Sequence, residues 1–383
     1  MKFALVCDEF HPDLGGIARY GYELALRYVN QGLDFVVVTH LHTGQPEEEE
    51  YAGIRIRRIE GLVLNRANRV VSPLALRRCI DYLARGGFDL VHGLTIYSPL
   101  AFAAVCFAQT KGLPSVFTCH SIIERRSQIL LHRPFMPVIA RADRMIAVSD
   151  ATAAFCRRLA IADDRIVTVY NGVDTSTFRA GVDGTPLRER LDLDSQPVVV
   201  TAIRLAKRKA PDLLVDAFNE ALKEIPNARL VIAGAGGEEA RLARQIARLG
   251  IGDRVHLVGR LSKEGVAELM AAGDVFVLPS SLEAFGLAAL EAAATGTPVV
   301  CSDAGGIPEI FQHGVSALLY APGDKTALAR SIVRVIQDNT LRDELGRKGA
   351  EAARQLTWDA CAERTLTVYE EACHHNAARR LHR

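Results

Sequence analysis

Two glutamates in the stretch SSLEAFGLAALEAAATGTPVV, Glu283 and Glu291, stand eight residues apart on an otherwise apolar segment. Carboxylates are costly to bury without partners, so their place here needs a chemical reason. The run DVFVLP (274–279) before them predicts a strand, and the alanine-rich stretch after predicts a helix opening near Phe285 or Gly286. The first N–H groups of such a helix have no partner within it, and its dipole favours an anion. A glycine at 286 lets a ligand approach the backbone closely. Glu283 then sits just before the helix and Glu291 over a turn into it, roughly 12 Å apart if the span is helical. Carboxylates repel phosphate but accept hydrogen bonds from hydroxyls. A ligand with an anionic middle and hydroxyls at both ends satisfies the set. A sugar nucleotide has that shape: hexose, diphosphate, ribose. The plain alternative is an ordinary N-terminal helix acid followed by a solvent-facing glutamate.

A second cluster is cationic. In IRLAKRKAPDLLVDAF, Arg204 and Lys209 follow the apolar run PVVVTAI (197–203) and precede a helical pattern. Two cations in a loop at a strand's carboxyl end can neutralise a diphosphate and then the charge on a departing nucleotide. Lys207 and Arg208 lie between them, so the sequence leaves open which cations point inward, and a solvated basic loop is the alternative. Two other matches carry less. GAGGEE (234–239) follows a strand, but Glu239 holds the third glycine position of a dinucleotide fingerprint, which argues against NAD. DLD (192–194) has the Asp-x-Asp spacing of a metal motif, yet it falls in a polar connector and reads as surface.

These groups need strands and helices to hold them. Apolar runs at 2–7, 34–39, 88–93, 115–119, 144–149 and 165–170 predict strands, and a second set follows at 197–203, 228–234, 254–259, 274–279, 298–302 and 316–320. Helical patterns such as GIARYGYELALRYVN lie between them. Strands with little internal alternation, separated by helices, mean parallel sheets covered on both faces. The expectation is therefore an α/β chain of two doubly wound, Rossmann-like domains facing each other across a cleft, joined through the polar stretch 171–196. The first domain is expected at 1–175, with a terminal helix of about 358–383 packing back on it, and the second at 176–357. The acidic run Glu47–Glu50 reads as a solvated loop.

Composition narrows the class. With 383 residues the chain suggests two or three domains, and a net charge of +1 does not point to nucleic acid. Eight cysteines without a CxxC read as buried thiols in a reducing compartment, hence the cytoplasm. The N-terminal apolar run meets Asp8 too early for a signal peptide, and no 18-residue apolar span follows.

The segment SSLEAFGLAALEAAATGTPVV resembles the E-x7-E segment of the large retaining glycosyltransferase family 4, whose members have the GT-B fold. Further segments resemble the family in the same chain order: HPDLGGIARYGYELA its Gly-Gly loop, VFTCHS its strand-end histidine, and VYNGVDTSTF its junction segment. IRLAKRKAPDLLVDAF resembles the phosphate segment, DAGGIPEI the Gly-Gly-x-Pro-Glu loop, and LTWDACAERTLTVY the terminal tryptophan helix. Three positions depart from the pattern. Ile203 and Ala210 replace the glycines usual before the arginine and after the lysine, and Ser121 leaves His120 without a following carboxylate.

The resemblance implies transfer of a hexose-type sugar, with retention, from a nucleotide diphosphate sugar to a glycan, lipid-linked or small-molecule acceptor. It gives catalytic roles to His120, Glu283, Arg204 and Lys209. Glu291 would take the ribose hydroxyls and Glu283 those of the transferred sugar, while Ala284, Phe285, Gly286 and Leu287 line the donor. Gly15 and Gly16 would form a flexible loop beside it. Asn171 and Asp174 would shape the hinge turn. No metal and no cofactor are implied beyond a UDP or GDP sugar as co-substrate. Other GT-B activities remain open: a phosphorylase, a nucleotide-sugar epimerase, or a non-catalytic nucleotide-sugar binder. Residues 54–85 carry eight arginines, and with ERRSQILLHRPF (124–135) they are either a patch for an anionic membrane face or ordinary solvated arginines.

Overall fold

A computed structural model describes residues 1–12, 15–61, 72–122, 136–193 and 195–381. The chain divides into two compact units, Met1–Asn171 with Trp358–Arg383, and Gly172–Thr357. Asp194 of the DLD match, residues 62–71 of the arginine-rich segment, and ERRSQILLHRPF lie outside the described residues.

The first unit is built on eight strands: β1 (Lys2–Val6), β2 (Asp34–His40), β3 (Glu48–Tyr51), β4 (Ile54–Ile59), β5 (Leu90–Gly93), β6 (Ser115–Cys119), β7 (Arg144–Ala147) and β8 (Ile166–Thr168). They lie in the order β3-β4-β2-β1-β5-β6-β7-β8, parallel except for the β3–β4 pair. The central strands are apolar and buried on both faces, which a parallel sheet between helix layers requires. On one face Phe3, Tyr28, Phe35 and Tyr369 pack ring to ring, drawing in the helices Gly16–Asn30 and Trp358–Leu381. The other face is covered by helices Pro73–Arg85 and Pro99–Lys111, each opened by a serine N-cap followed by proline at the first helical position.

One expectation is corrected here. The acidic run is not a solvated loop: Glu48–Tyr51 is the edge strand β3, antiparallel to β4. Ala52 and Gly53 turn the hairpin with φ of 51° and 76°, the pair of positive φ values that a type I′ turn needs. Glu47 and Glu48 pair with Arg57, and Glu49 with the buried Arg58. An alanine at the first turn position and charges along both strands hide the hairpin in the sequence.

The second unit carries β9 (Val198–Ala202), β10 (Arg229–Ala233), β11 (Val255–Gly259), β12 (Val275–Leu278), β13 (Val299–Ser302) and β14 (Leu318–Tyr320), all parallel, in the order β11-β10-β9-β12-β13-β14. Strand order reverses beside β9, so its carboxyl end and that of β12 form the switch point, where open α/β sheets leave a crevice for ligands. In the first unit the corresponding point lies between β1 and β5.

Candidate active site

The switch point of the second unit is flanked by the two loops that carry the sequence candidates. After β9 come Ile203–Ala210, and after β12 come Pro279–Gly286. The loops are bonded together: the carbonyl of Arg208 accepts from the Ser281 amide at 3.0 Å and from its hydroxyl at 3.1 Å. Across this seam the Lys209 ammonium donates to Oε1 of Glu283. The sequence left open which of four cations turns inward. Lys209 is partly buried against Glu283, while Arg204, Lys207 and Arg208 are exposed.

Glu283 is only 8% exposed, and its backbone is held as well as its side chain. Its carbonyl accepts from Gly306 at 3.1 Å, and Gly305 passes so close that a Cβ there would collide with the same carbonyl. Gly305 also has φ +58°, so the position suits glycine twice over. DAGGIPEI was legible only as a motif, and its mechanical task against Glu283 was not.

The helix expected near Phe285 runs Leu287–Ala294, with Gly286 as its N-cap at φ +108°. No side chain caps it, and a Cβ on Gly286 would strike Ile307. Glu291 lies in this helix, 5% exposed, with Phe285 buried and Ala284 and Leu287 half-buried at its mouth. The two departures at 203 and 210 now have a structural setting. Ile203 is buried, and its carbonyl lies where a Cβ on Gly234 would fall. A Cβ on Gly236 would meet the Leu205 carbonyl in the same way. Gly234 and Gly236 of GAGGEE thus serve close backbone packing. Ala210 takes φ 47° and ψ 48°, a left-handed conformation usually left to glycine.

Asp174 accepts from Ser176, Thr177 and the Lys263 ammonium, which stands at 2.6 Å. Burial opposes its ionisation, but these donors outweigh it and hold the carboxyl well below the usual range. It is committed to tying the segment after Asn171 onto the helix Lys263–Ala272.

In the first unit His120 follows β6, its ring edge-on to Tyr20 with centroids 4.3 Å apart. Burial lowers its pKa to about 3, so the imidazole is neutral, and its Nε2 has no hydrogen-bond partner among the described residues. Behind it His92, fully buried, bonds Tyr369 through Nδ1 and Thr118 through Nε2, both at 2.7 Å. Burial lowers the His92 pKa to about 3 as well, with His120 adding a smaller push in the same direction. Gly15 and Gly16 are not a free loop: Gly15 is the N-cap and Gly16 the first residue of the helix Gly16–Asn30. Among the described residues no group of three or more His, Cys, Asp or Glu is placed to hold a metal, and no helix is long and apolar enough to cross a membrane.

Two family models match the chain in tandem, "Glycosyltransferase Family 4" over residues 14–177 and "Glycosyl transferases group 1" over 185–352. A D-inositol 3-phosphate glycosyltransferase of Thermobifida fusca is 31% identical, the match covering 94% of this chain and 90% of that protein. A protein of the same name from Frankia alni is also 31% identical, the match covering 94% of this chain and 95% of that protein. Among solved structures, Anabaena Alr3699/HepE in complex with UDP and glucose superposes with a TM-score of 0.83 at 23% identity, over 96% of this chain and 98% of that one.

Proposed function

Since this chain belongs to the glycosyltransferases of family 4 and has their GT-B fold, we propose that it moves a hexose-type sugar from a nucleotide diphosphate sugar to a hydroxylated acceptor with retention of anomeric configuration. The carrying observation is the meeting of Lys209 and Glu283 across the β9–β12 switch point, beside an uncapped helix N-terminus. A cation and a helix N-terminus suit the diphosphate, and carboxylates beside them suit hydroxyls.

In this reading Arg204, Lys209 and the backbone N–H groups from Phe285 to Leu287 stabilise the departing diphosphate. Each such donor contributes roughly 3–4 kcal/mol when placed like an oxyanion-hole group. Glu283 orients the transferred sugar through its hydroxyls, and Glu291 takes the ribose. His120, neutral and with Nε2 unengaged among the described residues, can hydrogen-bond a hydroxyl without adding charge. The bound complex of the Anabaena neighbour makes UDP-glucose the first donor to try, and the name of the Thermobifida relative makes D-inositol 3-phosphate the first acceptor. A membrane-facing role for the arginine-rich segment has less support. Arg55, Arg57, Arg58 and Arg78 pair with carboxylates of the same unit.

The test is a thermal-shift panel of UDP, GDP and ADP sugars, followed by transfer assays with anomeric analysis of the product by NMR. A donor at 100 times its Kd adds about 2.7 kcal/mol of stability, an easily read shift. Glu283→Ala and Lys209→Ala are expected to lose transfer by orders of magnitude while remaining folded. A panel without any shift, or near-normal turnover in either variant, refutes the reading.

A further inference from the structure

The Lys209 ammonium has a partner within its own chain, Glu283, and the two side chains are only 19% and 10% exposed. A diphosphate seated at this switch point competes with that carboxylate for the ammonium's donors and draws Lys209 toward its own oxygens. Glu283 then keeps a weakened donor in a nearly dry site. Its backbone is held by Gly305 and Gly306, which keeps the residue rooted in this buried place. A donor that still carries its sugar brings hydroxyls, and these donate to Glu283 in place of Lys209. The spent nucleoside diphosphate brings none.

We propose that the Lys209–Glu283 ion pair competes with bound nucleoside diphosphate for the Lys209 ammonium, so that the site favours intact donor over spent product and drives product release. The proposal rests on the donor reading above and goes beyond it, because it makes one carboxylate favourable to the sugar and unfavourable to the nucleotide product. Each hydrogen bond to a charged group makes a difference of about tenfold or more in affinity, which discrimination by partner replacement requires.

Calorimetric titration of the full chain with UDP and UDP-glucose, and with GDP and GDP-mannose, tests it. The parent is expected to bind the sugar nucleotide about tenfold more tightly than the matching diphosphate. Glu283→Gln, which keeps the shape and removes the charge, is expected to tighten the diphosphate at least fivefold while weakening the sugar nucleotide. In a Lys209→Met background the same substitution is expected to change diphosphate affinity less than twofold. Unchanged or weaker diphosphate binding by Glu283→Gln overturns the proposal. Tightening that persists undiminished in the Lys209→Met background also overturns it, because Glu283 then acts by simple repulsion. If the parent binds none of the four ligands, the donor reading itself falls, and the proposal with it. Melting curves of each variant confirm that the fold is retained.

Discussion

Gly305→Ala should cost this protein both stability and turnover, by amounts that can be separated. A Cβ at 305 lands far inside the 3.0 Å below which such contacts are essentially never found, and its neighbour is the Glu283 carbonyl. The two backbones must therefore part by more than an ångström. Alanine also has to hold φ +58°, which costs about 1–2 kcal/mol. Separation breaks the bond from Gly306 to the Glu283 carbonyl, a further ~1 kcal/mol. The sum is about 2–3 kcal/mol in the second unit. Displacing Glu283 by that distance is expected to lower kcat about a hundredfold, the usual cost of a 1 Å misplacement of a positioning group. Gly314→Ala is the matched control, since Gly314 has φ +74° with nothing within 4 Å of its would-be Cβ. It should lose about 1–2 kcal/mol and keep its turnover. Stability of the second unit can be read from alkylation of Cys301, its single cysteine, which is fully buried. If Gly305→Ala turns over within twofold of the parent, or behaves like Gly314→Ala, Glu283 is not held in the way described.

Ala210→Gly should stabilise the second unit by about 0.5–1 kcal/mol. Relief of the left-handed conformation exceeds the added freedom of the unfolded chain, and slower Cys301 alkylation checks it. Acid should destabilise the first unit through His92, whose folded pKa of about 3 lies below the unfolded value of about 6.5. The unfolded chain then binds the extra proton between those values. The stabilisation is complete above pH 6.5 and falls by up to about 1.4 kcal/mol per pH unit as pH drops toward 3. Trp358, the one tryptophan, is buried in that unit, so its fluorescence in denaturant at pH 7.5, 6 and 5 reads the effect. His120, with a pKa also near 3, adds to this limb, so His92→Gln should lower its slope by up to about 1.4 kcal/mol per pH unit, and an unchanged slope would remove His92 from the account.

By itself the sequence carried the local order. Unbroken runs such as PVVVTAI and DVFVLP announced buried parallel strands, because a strand covered on both faces has no polar side to alternate. The helix from Leu287 and the placing of Glu283 before it followed from local pattern too. Other features depended on residues far apart in the chain. Lys209 and Glu283 are 74 positions apart, and only the register of β9 beside β12 selects Lys209 over three neighbouring cations. Gly305 reads as any turn glycine until the fold lays it against the Glu283 carbonyl. The β3–β4 hairpin was hidden because its charges satisfy one another across the pair, which the one-dimensional pattern records only as polarity. Periodicity fixes which face a residue takes within its own element, while the partner it meets is decided by strand order and close packing, which only the tertiary structure supplies.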